Sequence, residues 1–189
     1  MRVSIPYVLF KTKTGEYGLD AYFFHRLEKV EHRAVLIRKA ENIKPISEVQ
    51  EPLEVSLKSV EPMLKDLALA LYELSGKSFE ERSGHMRKWN LYRFLGIPTG
   101  YFKNLKRDDE LAKRSREALL ALSIVEHVLG VRKPGDVEGV EITLLGWGLL
   151  EVEIVDGKPA DPIYGELYNT DAGFRRSLYE FVEERKRKS

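Results

Sequence analysis

"FLGIPTGYFKNLKR", residues 94 to 107, decides how the middle of this chain is read. An apolar run meets a glycine, then a proline and a threonine, then a polar stretch carrying Lys103, Lys106 and Arg107. Two short helices joined at Gly96 form a corner, and a corner fills its inner angle with apolar residues. With Gly96 as the turn, Leu91, Leu95, Ile97, Phe102 and Leu105 take those inner positions. Thr99 then caps the second helix, leaving Gly100, Tyr101, Lys103, Asn104, Lys106 and Arg107 to face outward or sideways. A plain corner in a helical bundle fits the same pattern.

Charge is concentrated around this stretch. Arg82 to Arg116 holds ten Lys or Arg against three acids, a segment charge of +7, while the rest of the chain carries 21 bases and 27 acids, −6. Such a split creates a local field suited to a polyanion. It equally suits a solvated helix surface whose charges pair with acids elsewhere in the fold.

Helical signals flank the corner. Ser59 caps a helix with Pro62 in its first turn and a stripe of Val60, Met63, Leu64, Leu67, Leu71 and Leu74; Gly76 ends it. "SFEE", 78 to 81, has capping-box spacing and opens a second helix that ends at Leu95. After the quoted stretch, "DDELAKRSREALLALSIVEHVLG" is the strongest helix, with Leu111, Ala118, Leu119, Leu122, Val125 and Leu129 on one face and Gly130 as its stop.

Both ends of the chain carry β texture. "VSIPYVLFK", "YGLDAYFF" and "RAVLIRKA" predict an antiparallel meander, with 20 to 32 ambiguous between strand and helix. Residues 41 to 55 read as a connector. "VEITLLGWGLLEVEIVDGKPADPIY" reads as strands broken at Gly146-Trp147-Gly148 and turning at Asp156-Gly157. A last helix from about Thr170 buries Phe174, Leu178, Phe181 and Val182 and ends in a fraying basic tail. The expected class is α+β: an N-terminal antiparallel β meander (1–48), a central helical bundle with a helix-turn-helix-like corner (56–130) and a C-terminal β-hairpin and helix (131–189). These form one compact domain or two small ones.

"LGIPTGYFKNLKRD" resembles the helix-turn-helix of transcription regulators of the lac-repressor and phage-regulator kind, over about residues 86 to 122. Tyr92 departs from that pattern, standing where those regulators carry a small residue. The resemblance implies a partner, duplex DNA, whose major groove admits the second helix. It places Thr99, Lys103, Asn104 and Arg107 nearest the bases, Arg107 suited to guanine and Asn104 to adenine. Arg87, Lys88, Arg93, Lys106 and Arg114 would neutralise phosphates. The flanking β segments would supply a scaffold or a homodimer surface. The rival expectation is a non-enzymatic interaction or assembly protein whose basic face docks on an acidic partner or on a second copy of this chain.

Nothing in the motifs calls for a cofactor. Cysteine is absent, which excludes disulfides, thiolate zinc sites and thiol catalysis. There is no Gly-x-Ser-x-Gly elbow, P-loop or dinucleotide fingerprint. His25, Glu28 and His32 would share a face, and could hold a divalent metal, only if 20 to 32 were helical. The acids Asp156, Asp161, Glu166 and Asp171 are the other residues suited to catalysis; the turn and the helix start account for Asp156 and Asp171. The N-terminus is not read as a secretory signal and no apolar run reaches membrane-span length, so a cytoplasmic location is expected. One Gln and four Asn among abundant charge point to a heat-adapted source.

Overall fold

Strand β1 (Arg2–Thr12) is the axis of the fold in the computed structural model, which describes residues 1–49 and 53–188. From Tyr7 to Phe10 every side chain is buried, so this strand is covered on both faces. Its antiparallel neighbours are β2 (Gly15–Asp20), which returns after a tight turn, and β5 (Thr143–Val155), from the far end of the chain. β3 (Ile37–Lys39) extends the sheet beyond β2, and β4 (Lys44–Ile46) extends it beyond β5. The order is β3-β2-β1-β5-β4, with β6 (Lys158–Pro159) pairing the end of β5.

The helices are α1 (Val30–Ala34), α2 (Val60–Phe94), α3 (Tyr101–Leu129), α4 (Pro162–Thr170) and α5 (Ala172–Lys188). The fold is α+β. One apolar cluster joins all three segments of the sequence, taking in Ile5 and Leu19 from the meander, Leu64 and Val125 from the central helices, and Val152 and Phe181 from the C-terminal part. Period-two alternation along β1 splits its contacts. Tyr7 meets Tyr164 of α4, whereas Thr12 donates to the Val128 carbonyl of α3.

Several expectations are met in detail. Asp156 and Gly157 both have positive φ, 50° and 77°, as a two-residue hairpin turn requires. Gly130 closes α3 in the left-handed region. Phe174, Leu178, Phe181 and Val182 are all buried.

Other expectations are corrected. The glycines at 146 to 148 do not break a strand. β5 runs straight through with a bulge, in which Leu145 is skipped between the pairs Phe10↔Leu144 and Leu9↔Gly146. The 41–55 connector contains β4, an edge strand in which Pro45 is tolerated because one side of it needs no ladder bond; residues 50–52 of that connector lie outside the described residues. After β2 ends at Asp20, residues 21 to 34 are neither strand nor a single helix, but contain a 3-10 turn (Phe24–Arg26) followed by α1. The basic tail is helical to Lys188, and Ser189 lies outside the described residues. Helix α4 has no counterpart among the expected elements.

The largest correction concerns the centre. Gly76 does not end a helix and Ser78 does not start one: α2 is continuous for 35 residues. Ser78 uses its hydroxyl to donate to the Ser75 carbonyl within that helix. The polar stretch after the turn likewise merges with the following run into one 29-residue α3. Leu119, placed on the buried stripe, is half exposed. Among the described residues no helix is long and apolar enough to cross a membrane.

Continuity through Gly76 and Gly84 carries a direct prediction. A Cβ added at either position meets nothing within 4 Å, and neither has a positive φ. Gly76→Ala and Gly84→Ala should therefore each stabilise the protein, by about 0.5–1 kcal/mol in urea unfolding. A helix ending at Gly76 in the left-handed conformation would instead make Gly76→Ala destabilising.

Candidate nucleic-acid interface

The two long helices lie side by side and antiparallel. Tyr72 donates to Glu126 at 2.7 Å, Arg82 to Asp108 at 3.2 Å, the His85 ring nitrogen lies 3.2 Å from the Asn104 carbonyl, and the Trp89 and Tyr101 rings are 5.8 Å apart. Each step outward on α2 is matched by a step back on α3. That is a hairpin, not the steep crossing of a helix-turn-helix.

Only the base of the hairpin belongs to the core. Leu64, Leu67, Ala68 and Leu71 on α2, with Ala121, Leu122, Val125 and Leu129 on α3, pack into the common cluster. Farther out, Trp89, Leu111, Ala112 and Ala118 are buried along the seam without belonging to that cluster. Among the described residues, the hydrogen bonds and ion pairs of Lys77 to Ala112 reach nothing beyond α2, α3 and the turn between them. The outer part of α2, 76 to 94, is an arm of roughly 30 Å at the helical rise of 1.5 Å per residue.

Because the helices run on in parallel seams, no inner angle exists for the apolar residues of the turn. Leu91, Leu95, Ile97, Phe102 and Leu105, expected inside, are all exposed. Phe94 and Phe102 are the extreme cases at 87% and 82%. Tyr92 is half-buried, with the Lys88 ammonium 5.8 Å from its ring centre. Gly100, not Thr99, is the N-cap residue of α3, and Asn104 turns its amide back onto the Gly100 carbonyl at 3.2 Å.

The cations expected to meet phosphate are on this arm. Arg87, Lys88, Arg93, Lys103, Lys106 and Arg114 are exposed and carry no ion pair among the described residues. Arg107 reaches Glu81 at 3.6 Å across the hairpin, and Arg82 reaches Asp108 at 3.2 Å. Beyond those two rungs, residues 83 to 106 contain five Lys or Arg and no acid, so the tip is +5. Aromatic rings sit among these charges. Trp89, Tyr101 and Phe102 form a series with centroids 5.8 and 5.6 Å apart, running from a buried indole to an exposed phenyl ring.

Elsewhere the polar clusters are structural. Asp20 is fully buried; its Oδ1 accepts from the backbone N–H of Tyr22 and Phe23 at 2.8 and 2.7 Å, closing the chain after β2. Its Oδ2 accepts from the Tyr164 hydroxyl at 2.5 Å, so that hydroxyl must accept in turn from Tyr7 at 2.6 Å. Arg38 lies over the Tyr164 ring and donates both terminal nitrogens to Asp161, which also caps α4 through the N–H of Ile163 and Tyr164. Asp20 and both tyrosines have no exposed surface, whereas Arg38 and Asp161 are partly exposed. The network ties the first three strands to α4.

The histidine cluster is dispersed. His25 is exposed on the 3-10 turn, Glu28 pairs with Arg176 at 2.8 Å, and His32 Nδ1 lies 2.7 Å from Asp171. Asp171 also accepts the Phe174 N–H at the start of α5. Among the described residues no group of three or more His, Asp or Glu is placed to hold a metal. Asp156, Asp161, Glu166 and Asp171 do not converge: the hairpin turn, the α4 cap and the α5 cap account for three of them.

Reading the residues in order misses the Asp20–Tyr164–Tyr7 and Arg38–Asp161 contacts, whose partners lie 123 to 157 positions apart. The Asp161-Pro162 pair is the available signal, an N-cap followed by proline in the first helical position. The chain matches no protein-family profile, no curated protein and no solved structure.

Burial raises the Asp20 carboxyl from 3.8 to about 6, against the opposing pull of its hydrogen bonds and of Arg38. An acid whose pKa is raised by folding contributes stability below its unfolded value and loses it as pH rises through the folded one. Between pH 7 and pH 4, wild type should therefore gain stability relative to Asp20→Asn. The gain is roughly 3 kcal/mol at most, since each tenfold change in proton affinity is worth about 1.4 kcal/mol. Thermal or urea unfolding of both proteins across that range measures the difference; parallel pH profiles would contradict the assignment.

Proposed function

We propose that this protein binds nucleic acid through the tip of its α2–α3 arm. The observation that carries the reading is the acid-free, +5 tip held clear of the core with exposed rings among its cations. Phosphates attract such a surface by charge alone, and counterion release makes the attraction strongly salt-dependent. The rest of the chain outside that tip carries a net −4 (+1 − 5), which disfavours a polyanion on the body and favours the arm. Arg87, Lys88, Arg93, Lys103 and Lys106 are the phosphate-binding residues in this reading, with Arg107 and Arg114 farther down the arm. Thr99 precedes the Gly100 N-cap of α3 and Asn104 lies in its first turn, where its amide already serves the helix end. A cytoplasmic site of action, a heat-adapted source and a regulatory role on DNA belong to the same reading.

One observation favours a second reading. Exposed Phe94, Leu95, Ile97 and Phe102 form an apolar cap that another protein surface, including a second copy of this chain, would cover. Sedimentation separates the two, since assembly through the cap makes the mass depend on protein concentration.

Fluorescence anisotropy with labelled oligonucleotides at low salt tests the leading proposal. Binding should weaken steeply with added salt, and Arg93→Glu with Lys103→Glu should weaken it by about tenfold or more. Lys158→Glu, on the distant β5–β6 turn, should have little effect. Absence of binding, or equal loss from all three substitutions, would reject the reading.

A further inference from the structure

We infer that the arm's tip takes unpaired nucleic-acid strands in preference to duplex, with bases stacked on the Phe94, Tyr101 and Phe102 rings; this rests on the nucleic-acid reading above. Width is the first argument. A helix with its side chains is about 10–12 Å across, so two lying side by side present roughly 20 Å. The major groove, about 12 Å wide, admits one helix. α2 and α3 are paired through the rung of Trp89 and Tyr101, within a turn or two of the connection, so neither helix is free to enter a groove alone.

Exposed rings are the second argument. Phe94 and Phe102 stand almost fully in water with no polar atom to solvate, and a duplex covers its base faces by its own stacking. Phosphate and sugar are all that it would offer these rings. An unpaired strand offers a π-face at every nucleotide, and stacking on aromatic side chains tolerates any sequence. Two of the rings are in series with the buried Trp89: Tyr101 lies 5.8 Å from it and 5.6 Å from Phe102, in a T-shaped arrangement with the latter. Arg93 and Lys103 adjoin Phe94 and Phe102 in the chain. Consecutive helical side chains point about 100° apart, so these exposed cations flank the rings and are free to meet the phosphates of a strand whose bases stack there.

The test uses the full chain and one labelled mixed-sequence oligonucleotide, as a single strand and annealed to its complement, in the same buffer. Flotation with phosphatidylserine-containing vesicles runs alongside. The single strand should bind about tenfold or more tightly than the duplex. Phe94→Ala with Phe102→Ala should weaken single-strand binding by about tenfold while leaving the salt slope and the weak duplex binding unchanged. Both residues are exposed, so the variant should keep its helical circular dichroism. Duplex binding as tight as single-strand binding, or an unaffected double variant, would overturn the stacking inference and leave the nucleic-acid reading standing. Binding to neither form, or to vesicles alone, would overturn both.

Discussion

The core of this protein ends before its two longest helices do. Leu64, Leu67 and Leu71 on α2, with Leu122, Val125 and Leu129 on α3, are buried against the sheet and the C-terminal helices. Each such leucine is worth about 1.5–3 kcal/mol of burial. Past that level the helices have only each other. The seam narrows to Trp89, Leu111, Ala112 and Ala118, and the Trp89 indole N–H is buried without a partner among the described residues. Of the ion pairs along the arm, Arg107–Glu81 is exposed and worth little, while Arg82–Asp108 has its carboxylate largely covered. Stability therefore enters the arm from its base, and its outer turns are the part that opens most readily.

What the arm lacks in packing it offers as surface. A third layer of structure would have covered the phenyl rings at the turn and supplied carboxylates to the cations around them. Neither is present: the described contacts of residues 83 to 106 are internal to the hairpin, and that segment has no acid of its own. The sheet end of the molecule shows the opposite economy. There, Asp20 is joined through Tyr164 to Tyr7, and Arg38 through its two terminal nitrogens to Asp161, and these contacts brace strands against α4, although the Nε atoms of Arg26, Arg33 and Arg38 are buried without a partner among the described residues. A body braced by long-range polar contacts thus carries an arm whose cations and turn-proximal rings face outward.

Local signals identify most of the elements. Alternation marks β1 and β2, Asp156-Gly157 marks the hairpin, and the stripes of Leu64 to Leu71 and Leu122 to Leu129 mark the helical faces that meet the core. The same local reasoning fails at Gly76 and Ser78, because glycine and serine are end signals only when the chain has a reason to stop; here both are carried through the interior of α2. It fails again at Leu91, Leu95, Ile97, Phe102 and Leu105. An apolar residue near a turn is expected inside, and nothing in the sequence says that the core has already run out. The cations of the tip are legible as a charged segment. That they crown a two-helix arm, with rings between them, depends on where α2 and α3 stop touching the rest of the fold.

The chain contains no cysteine, so a single introduced thiol reports on one position at a time. Thiol-labelling rates for Phe94→Cys and for Leu71→Cys test directly whether the arm stands clear of the core. The account predicts that the thiol at position 94 reacts at the rate of a free thiol at every protein concentration, while the one at position 71 is protected until the protein unfolds. Equal protection at both positions would show the tip packed away, and the arm as a binding surface would be contradicted.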